Sequence, residues 1–308
     1  MTTATLSAIL PETIPCPLCG ESETSLYLDG AEESLTASNI GSSRTPISCG
    51  RILRCPRCTF GFRRFRPTED QLASLYRAAD DRVYDAEREG RLRVAERHAR
   101  LASRYQPTPG RLLDIGCASG AFLGVMAAGG WNVEGVEPSR EHFADASKML
   151  AGRARLQECT LQEARFSQSF DLVTAWDVLE HVPNPIEFLG LCAALVRPGG
   201  HLLLNVPDLD SVQSRLLGSR WPLLLAEHLN YFNRASLRFC AERAGFAWLA
   251  SGRRSVSFSL KYISYRLSQH SFPSTGFVSR WMESSGLGGV TVPIRMGERF
   301  AVLQPKVR

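Results

Sequence analysis

What the sequence lacks narrows it first. No apolar run approaches the ~20 residues needed to cross a bilayer, and residues 1–15 carry no basic segment followed by an apolar stretch. These two absences predict a soluble, cytoplasmic chain with no membrane span. Lysine is nearly missing: of 36 Lys and Arg residues only three are lysine, so the formal charge of +5 rests almost wholly on arginine. So mild an excess does not by itself indicate a nucleic-acid partner. The composition of a fibre or a disordered tail is absent too. A 44% hydrophobic share and 22% charged residues over 308 positions describe a globular chain with room for a large core and two domains. Nine cysteines are an odd number, and Cys117, Cys159, Cys192 and Cys240 are scattered singly, as suits a reducing compartment.

The other cysteines fall before residue 60. After a loose Thr-, Ser- and Pro-containing tail over residues 1–15, Cys16-Pro17-Leu18-Cys19 is answered by Cys55-Pro56-Arg57-Cys58. Two C-x-x-C knuckles supply four thiolates, the tetrahedral sulfur set that zinc prefers in a closed structural site. The long interval between them is tolerable because loop-closure cost grows only logarithmically with length. Redox dithiols and unrelated core cysteines are the competing readings, and Cys49 is a spare core residue. Arginines crowd the second knuckle at 51, 54, 57, 63, 64 and 66, interleaved with Phe60, Phe62 and Phe65. A nucleic-acid face is one reading. An apolar hairpin alternating with solvated arginines is preferred, because the phenylalanines stand near strand period.

From Pro67 to Tyr105 the pattern turns helical, with Leu72, Leu75 and Tyr76 on one helix and Leu92, Ala95, Ala99 and Ala102 on one face of the next. The stretch Arg111-Leu112-Leu113-Asp114-Ile115-Gly116-Cys117-Ala118-Ser119-Gly120 follows. Leu112 to Ile115 is too short for a helix and is bounded in front by Pro107, Pro109 and Gly110, so a buried parallel strand fits. Gly116, Ala118 and Gly120 keep bulk out of the turn, so a ligand can lie against backbone before a helix over 119–129. A dinucleotide site wants G-x-G-x-x-G, and only Gly116, Ala118 and Ala121 stand in those places. Asp114 would sit close to a pyrophosphate, whereas a ligand carrying a sulfonium and an ammonium would find that carboxylate attractive. The turn therefore suits S-adenosylmethionine better than NAD. A plain strand-turn-helix without ligand is the alternative.

Asp114 to Gly120 resembles motif I of the class I S-adenosylmethionine-dependent methyltransferases, with Ala118 in place of the usual middle glycine. The resemblance implies an α/β, Rossmann-like seven-stranded core, the last strand antiparallel, behind a small N-terminal zinc ribbon. The segments that follow fit it. Glu137 ends a second strand about 20 residues beyond the turn, where an acid accepts hydrogen bonds from both ribose hydroxyls; an ordinary strand-end carboxylate is the competing view. Thr160 to Ala164, with Leu161, matches the loop that holds the adenine edge. Phe170 to Val182 is similar to the family's fourth strand and its D/E-x-x-E-H ending. Trp176 there can flank the methionine arm or stack with the sulfonium, beside Asp177. In quinone-biosynthesis O-methyltransferases a set matching Asp177, Glu180 and His181 binds magnesium; Glu180 and His181 bracing the strand end is preferred here.

Glu227-His228-Leu229-Asn230-Tyr231-Phe232 resembles the E-H-x-x-Y-F segment that sits over the acceptor site in small-molecule members, and is placed between a Trp221-containing helix and a helix over 236–244. His228 there can take a proton from an acceptor hydroxyl, with His181 the second catalytic candidate; a structural lid histidine is the alternative. The expected organisation is a tail over 1–15, a zinc ribbon over 16–66, a helical linker or lid over 67–107 from which Tyr76 or Tyr84 reaches the pocket, and a methyltransferase domain over 108–308. An amphipathic insertion near 255–290 covers the acceptor or forms a homodimer surface. The resemblance implies methyl transfer to a small hydroxylated or sugar-like metabolite, of the deoxysugar and natural-product kind. An RNA base methyltransferase and a non-catalytic scaffold are the alternatives. Asn205-Val206-Pro207-Asp208 is not the signature of amino-group methylation on bases.

Overall fold

The computed structural model describes residues 5–7, 13–30, 34–36, 50–78, 88–259 and 291–306. Strand β1 (Thr5–Ser7) precedes β2 (Ser25–Leu28), β3 (Ser34–Thr36), β4 (Ile52–Arg54) and β5 (Gly61–Arg63). Helices α1 (Glu69–Ala78) and α2 (Arg88–Tyr105) lead into β6 (Arg111–Ile115), α3 (Ala121–Ala128), β7 (Asn132–Val136), α4 (Arg140–Leu150) and β8 (Ala154–Gln157). Then come β9 (Phe170–Trp176), α5 (Pro185–Leu195), β10 (Val196–Pro207), α6 (Val212–Leu217), β11 (Asn230–Tyr231), α7 (Arg234–Arg243), β12 (Phe246–Ser259) and β13 (Thr291–Pro305).

Seven strands form one sheet in the order β12-β13-β10-β9-β6-β7-β8. Every pair from β10 to β8 is parallel, and β13 runs antiparallel to both its neighbours. The sequence explains the arrangement. Leu112, Leu113 and Ile115 in β6, and Leu172, Val173 and Ala175 in β9, are buried on both faces, as the central strands of a parallel sheet require. The helices between them start on defined caps: Ser139, Asn184 and Asn233 each accept from a backbone N–H in the first turn of α4, α5 and α7. The seven-stranded sheet and its single antiparallel member match expectation. The last two strands are far longer than the six or so residues expected, and most of the proposed insertion, 260–290, lies outside the described residues, as do Cys49 and Tyr84.

Around this core the chain departs from the sequence reading in several places. The ribbon is not a separate module, because β2, β4 and β5 are completed by β11 from the Glu227–Phe232 segment, in the order β11-β5-β4-β2. Asn230 pairs with Phe62 and Tyr231 with Gly61. Phe60 and Phe62 stack, Phe60 meets Phe232 at 4.9 Å, and all three join the apolar cluster beneath α5 and α7. Nor is the whole tail loose: β1 pairs antiparallel with β3.

The arginines near the second knuckle are not uniformly solvated. Arg63 is fully buried and Arg64 nearly so. Arg63 Nη1 donates to the Ala226 carbonyl, and Arg66 donates to the carbonyls of Leu229 and Pro183 and to Asn230 Oδ1. Arg51 pairs with Asp29 at 2.9 Å and Arg54 with Asp210 at 3.1 Å. Period-two spacing put Arg63 and Arg66 at the surface, but the segment from Ala226 to Asn230, 163 and 164 residues further on, supplies acceptors for both. Trp221 is not helical either. It caps the short turn Gly218–Arg220 after α6 and donates its Nε1–H to the Met296 carbonyl, 2.8 Å away. On α2, Ala95 and Ala102 face the core while Leu92 is 47% exposed.

Candidate functional site

A cavity of ≈ 430 Å³ opens at the carboxyl ends of β6, β7 and β9, roofed by α1 and the Leu223–His228 segment. Open α/β sheets place ligands at this end. Its floor is the turn after β6. Gly116 takes φ 70 and lines the cavity, and a Cβ added there would stand 2.9 Å from Val178 Cγ2. Ala118 adopts φ 47, a left-handed conformation that a residue with a Cβ rarely takes. What holds it is Glu137: Ala118 N–H donates to Glu137 Oε2 and Ser139 N–H to Oε1, each at 2.8 Å.

The expected cofactor residues do not all reach the wall. Gly116, Ala118, Glu137, Leu161, Trp176 and Asp177 line the cavity. Asp114 lies beneath the turn, buried, with its Oδ1 accepting from Thr174 Oγ1 at 2.6 Å. Gly120 is the left-handed residue at the start of α3, where a Cβ would press on Leu150 and Ala146 of α4, so it serves helix packing. The indole of Trp176 stacks on His98 of α2 at 3.9 Å and meets the edge of Phe122. One face of that ring is therefore covered by a histidine that the sequence did not single out. Asp177 is exposed at φ 55, and Asn205 on the adjacent strand grips both its backbone N–H and its carboxylate.

Burial pushes the Asp114 carboxyl up to about 7, against a lowering by the Thr174 hydrogen bond. Burial likewise raises Glu137 to about 7, opposed by the Ser139 and Ala118 N–H groups. Folded values above the unfolded ones mean that each acid stabilises the unliganded fold fully below the ordinary carboxylate range, and that this contribution is lost as pH rises through about 7. The melting temperature of Glu137→Gln relative to wild type should therefore climb between roughly pH 5 and roughly pH 8. A difference that stays constant across that interval would mean Glu137 ionises like an exposed acid.

At the other end, His181 and His228 meet edge to face with ring centroids 4.7 Å apart. His228 is buried, with Nδ1 2.9 Å from the Leu223 carbonyl; His181 Nδ1 is 3.2 Å from the Glu227 carbonyl. A carbonyl only accepts, so both Nδ1 atoms carry hydrogen and both Nε2 atoms present lone pairs. Burial lowers His181 to about 4 and, helped by the charge of His181, takes His228 well below 6.5, leaving both neutral at physiological pH. Tyr76 from α1 lines the same cavity, edge-on to His181.

Among the described residues, two groups bring metal-ligating atoms within 4.8 Å of one another: Cys16, Cys19, Cys55 and Cys58, and Glu180 with His181 and His228. The sulfur set fits zinc. Cys16–Cys58 and Cys19–Cys55 Sγ distances are 3.5 Å, close to the about 3.8 Å between sulfurs tetrahedral about zinc. Cys58 N–H points at Cys55 Sγ, and Gly20 and Thr59, each following a knuckle, share left-handed backbone. The thiol of Cys58 draws Cys16 down to about 5. Magnesium fits poorly: Asp177 is held away by Asn205, and two imidazoles with one carboxylate are softer donors than the oxygen set that ion prefers. Sequence reasoning also passed over Asn230, whose only signal was an amide between two apolar neighbours, and Asn205.

A profile of the family described as "Methyltransferase domain" matches residues 84–251, more than half of the chain. Curated relatives named ubiquinone biosynthesis O-methyltransferase are similar over this region. That of Ralstonia nicotianae is 41% identical over 100 residues, covering 31% of this chain and 42% of that protein. That of Burkholderia multivorans is 36% identical over 165 residues, covering 51% and 67%. The chain thus spans less than half the length of the first of them. Among solved structures, magnesium protoporphyrin IX methyltransferase from Synechocystis PCC 6803 with bound SAH is 16% identical, with a TM-score of 0.49 over 74% of this chain and 89% of that one. Among the described residues no helix is long and apolar enough to cross a membrane.

Proposed function

The chain belongs to the methyltransferase-domain family, with the class I S-adenosylmethionine-dependent core, and from that premise we propose that it methylates a hydroxyl group of a small hydroxylated or sugar-like metabolite in the cytoplasm. One observation carries the reading: the small-residue turn with Glu137 beside it, and two neutral histidines whose Nδ1 atoms are tied to carbonyls, open on the same cavity.

When bound, S-adenosylmethionine supplies a methyl carbon activated by its sulfonium. Gly116 and Ala118 leave room for it against backbone, and Glu137 has the position and burial to accept from ribose hydroxyls. The Thr160–Gln162 loop borders the adenine side. Asp114, one layer below, adds negative potential without contact. His228 Nε2 accepts the acceptor hydroxyl's proton as the oxygen becomes nucleophilic, and Nδ1–H stays on the Leu223 carbonyl to fix the ring. Much of the rate comes from holding the two partners in register. The four ribbon thiolates are read as a structural zinc site. The arginine run that suggested RNA is spent largely on internal partners.

The test is S-adenosylhomocysteine release against a panel of sugars, phenols, carboxylic acids and structured RNA. Turnover with hydroxylated small molecules is expected; turnover only with RNA, or with nothing, rejects the proposal. In parallel, Glu137→Ala should weaken S-adenosylmethionine binding at least about tenfold in calorimetry, the worth of one charge-assisted hydrogen bond. Unchanged affinity would remove Glu137 from the cofactor site.

A further inference from the structure

We propose that Asn230 is the positioning residue that sets His181 and His228 against each other, by tying the ribbon sheet to the turn that follows β9. Its side chain is fully buried and uses every hydrogen-bonding group it has. Nδ2 donates to the carbonyls of Leu179 at 3.0 Å and Val182 at 2.7 Å, and Oδ1 accepts from Arg66 at 2.9 Å. The backbone N–H groups of Leu229 and Asn230 both donate to the Glu180 carbonyl, at 2.8 and 3.0 Å. On its other edge Asn230 pairs with Phe62 of the ribbon.

His181 therefore lies inside a three-residue clamp, between carbonyls 179, 180 and 182 that all bond to one residue. His228 stands two positions before that residue, in the segment that leads into β11. A rotation of the turn or a slip of the strand would separate the rings, and both movements are blocked at the same amide. Only asparagine meets the demand at this position. It offers two hydrogens toward two carbonyls and an oxygen toward a guanidinium, whereas aspartate would turn an acceptor on the carbonyls and leucine would take both side-chain donors from those carbonyls and one acceptor from Arg66.

What the histidine pair is used for rests on the proposed function; its placement does not. The experiment uses the full chain with labelled histidine. In Asn230→Asp, which keeps the size and the Arg66 contact, the ring resonances of His181 and His228 should both shift at fixed pH, because each ring lies in the other's ring current. Affinity for S-adenosylhomocysteine should stay at the wild-type value, and methyl transfer to any acceptor that the panel yields should fall about 10–100-fold. Asn230→Ser, which keeps one donor, should give smaller shifts of the same kind and replaces the first variant if that one does not fold. Wild-type histidine resonances in a folded variant overturn the inference, and so does a parallel loss of S-adenosylhomocysteine affinity, which would mark a general packing role. A wild-type enzyme that methylates nothing in the panel rejects the proposed function, while the resonances still decide the part played by Asn230.

Discussion

Turnover of His228→Gln is expected to fall by about 10²–10⁴-fold, the usual worth of a positioned general base, while affinity for S-adenosylmethionine stays unchanged. Glutamine fills much of the same volume and still hydrogen-bonds, but its amide nitrogen has no basic lone pair to take the proton. The ring it replaces is suited to that task on three counts. Its Nδ1 is committed to the Leu223 carbonyl, its Nε2 lone pair is therefore available, and burial next to His181 keeps it unprotonated well below 6.5. With the wild type, the rate should accordingly stay level from neutral pH downward until well under 6.5, because only there does the base become protonated. A His228→Gln enzyme that retains full turnover would reduce His228 to a brace for the cavity roof. His181 would then be the next base to replace, since its Nε2 is equally unencumbered.

Loss of the zinc proposed for the four ribbon thiolates should disturb more of the fold than the ribbon alone. Structural zinc held by cysteine ligands contributes an apparent ~10–16 kcal/mol to folding, comparable with or above the about 5–15 kcal/mol that holds a whole domain together. Cys55→Ser removes one ligand at a fully buried position continuous with Phe60, Phe62 and Leu237 in the main apolar cluster. The expected outcome is one zinc per chain in the wild type, none in the variant, a large drop in melting temperature, and new proteolytic cleavage between Leu223 and Phe232, since β11 loses its partner strand. Wild-type protein that purifies without metal and melts at the same temperature as Cys55→Ser would dismiss the zinc site.

How much could be read beforehand followed the range of the interactions. Strand β6, the turn to Gly120 and strand β7 were legible because everything that shapes them lies within 30 residues: prolines in front, small residues at the bend, an acid at the next strand end. The two knuckles were legible for the same reason. Arg63 and Arg66 were not, because alternation near β5 says which residues share a face but not that the segment from Ala226 to Asn230 will supply acceptors there. The register of Asp114 was misjudged in a related way. The acid stands near the end of β6 as expected, but Thr174, on a strand 60 residues further on, ties its carboxylate below the cavity floor. Trp176 likewise found its stacking partner on α2, where a charged helix gave His98 no distinction. The lengths of β12 and β13 escaped although Val256 and Phe258 in one, and Val292, Ile294 and Met296 in the other, stand at strand period.

The crossing of β11 into an amino-terminal sheet also bears on the order in which the molecule can be born. A ribosome delivers Phe60 and Phe62 early, yet the backbone edge that shields them is not synthesised until residues 230 and 231. Until then the knuckles can close only over a half-built sheet with aromatic surface uncovered. The nascent chain must carry that surface through most of translation, a long-range closure of the kind that slows folding and invites aggregation.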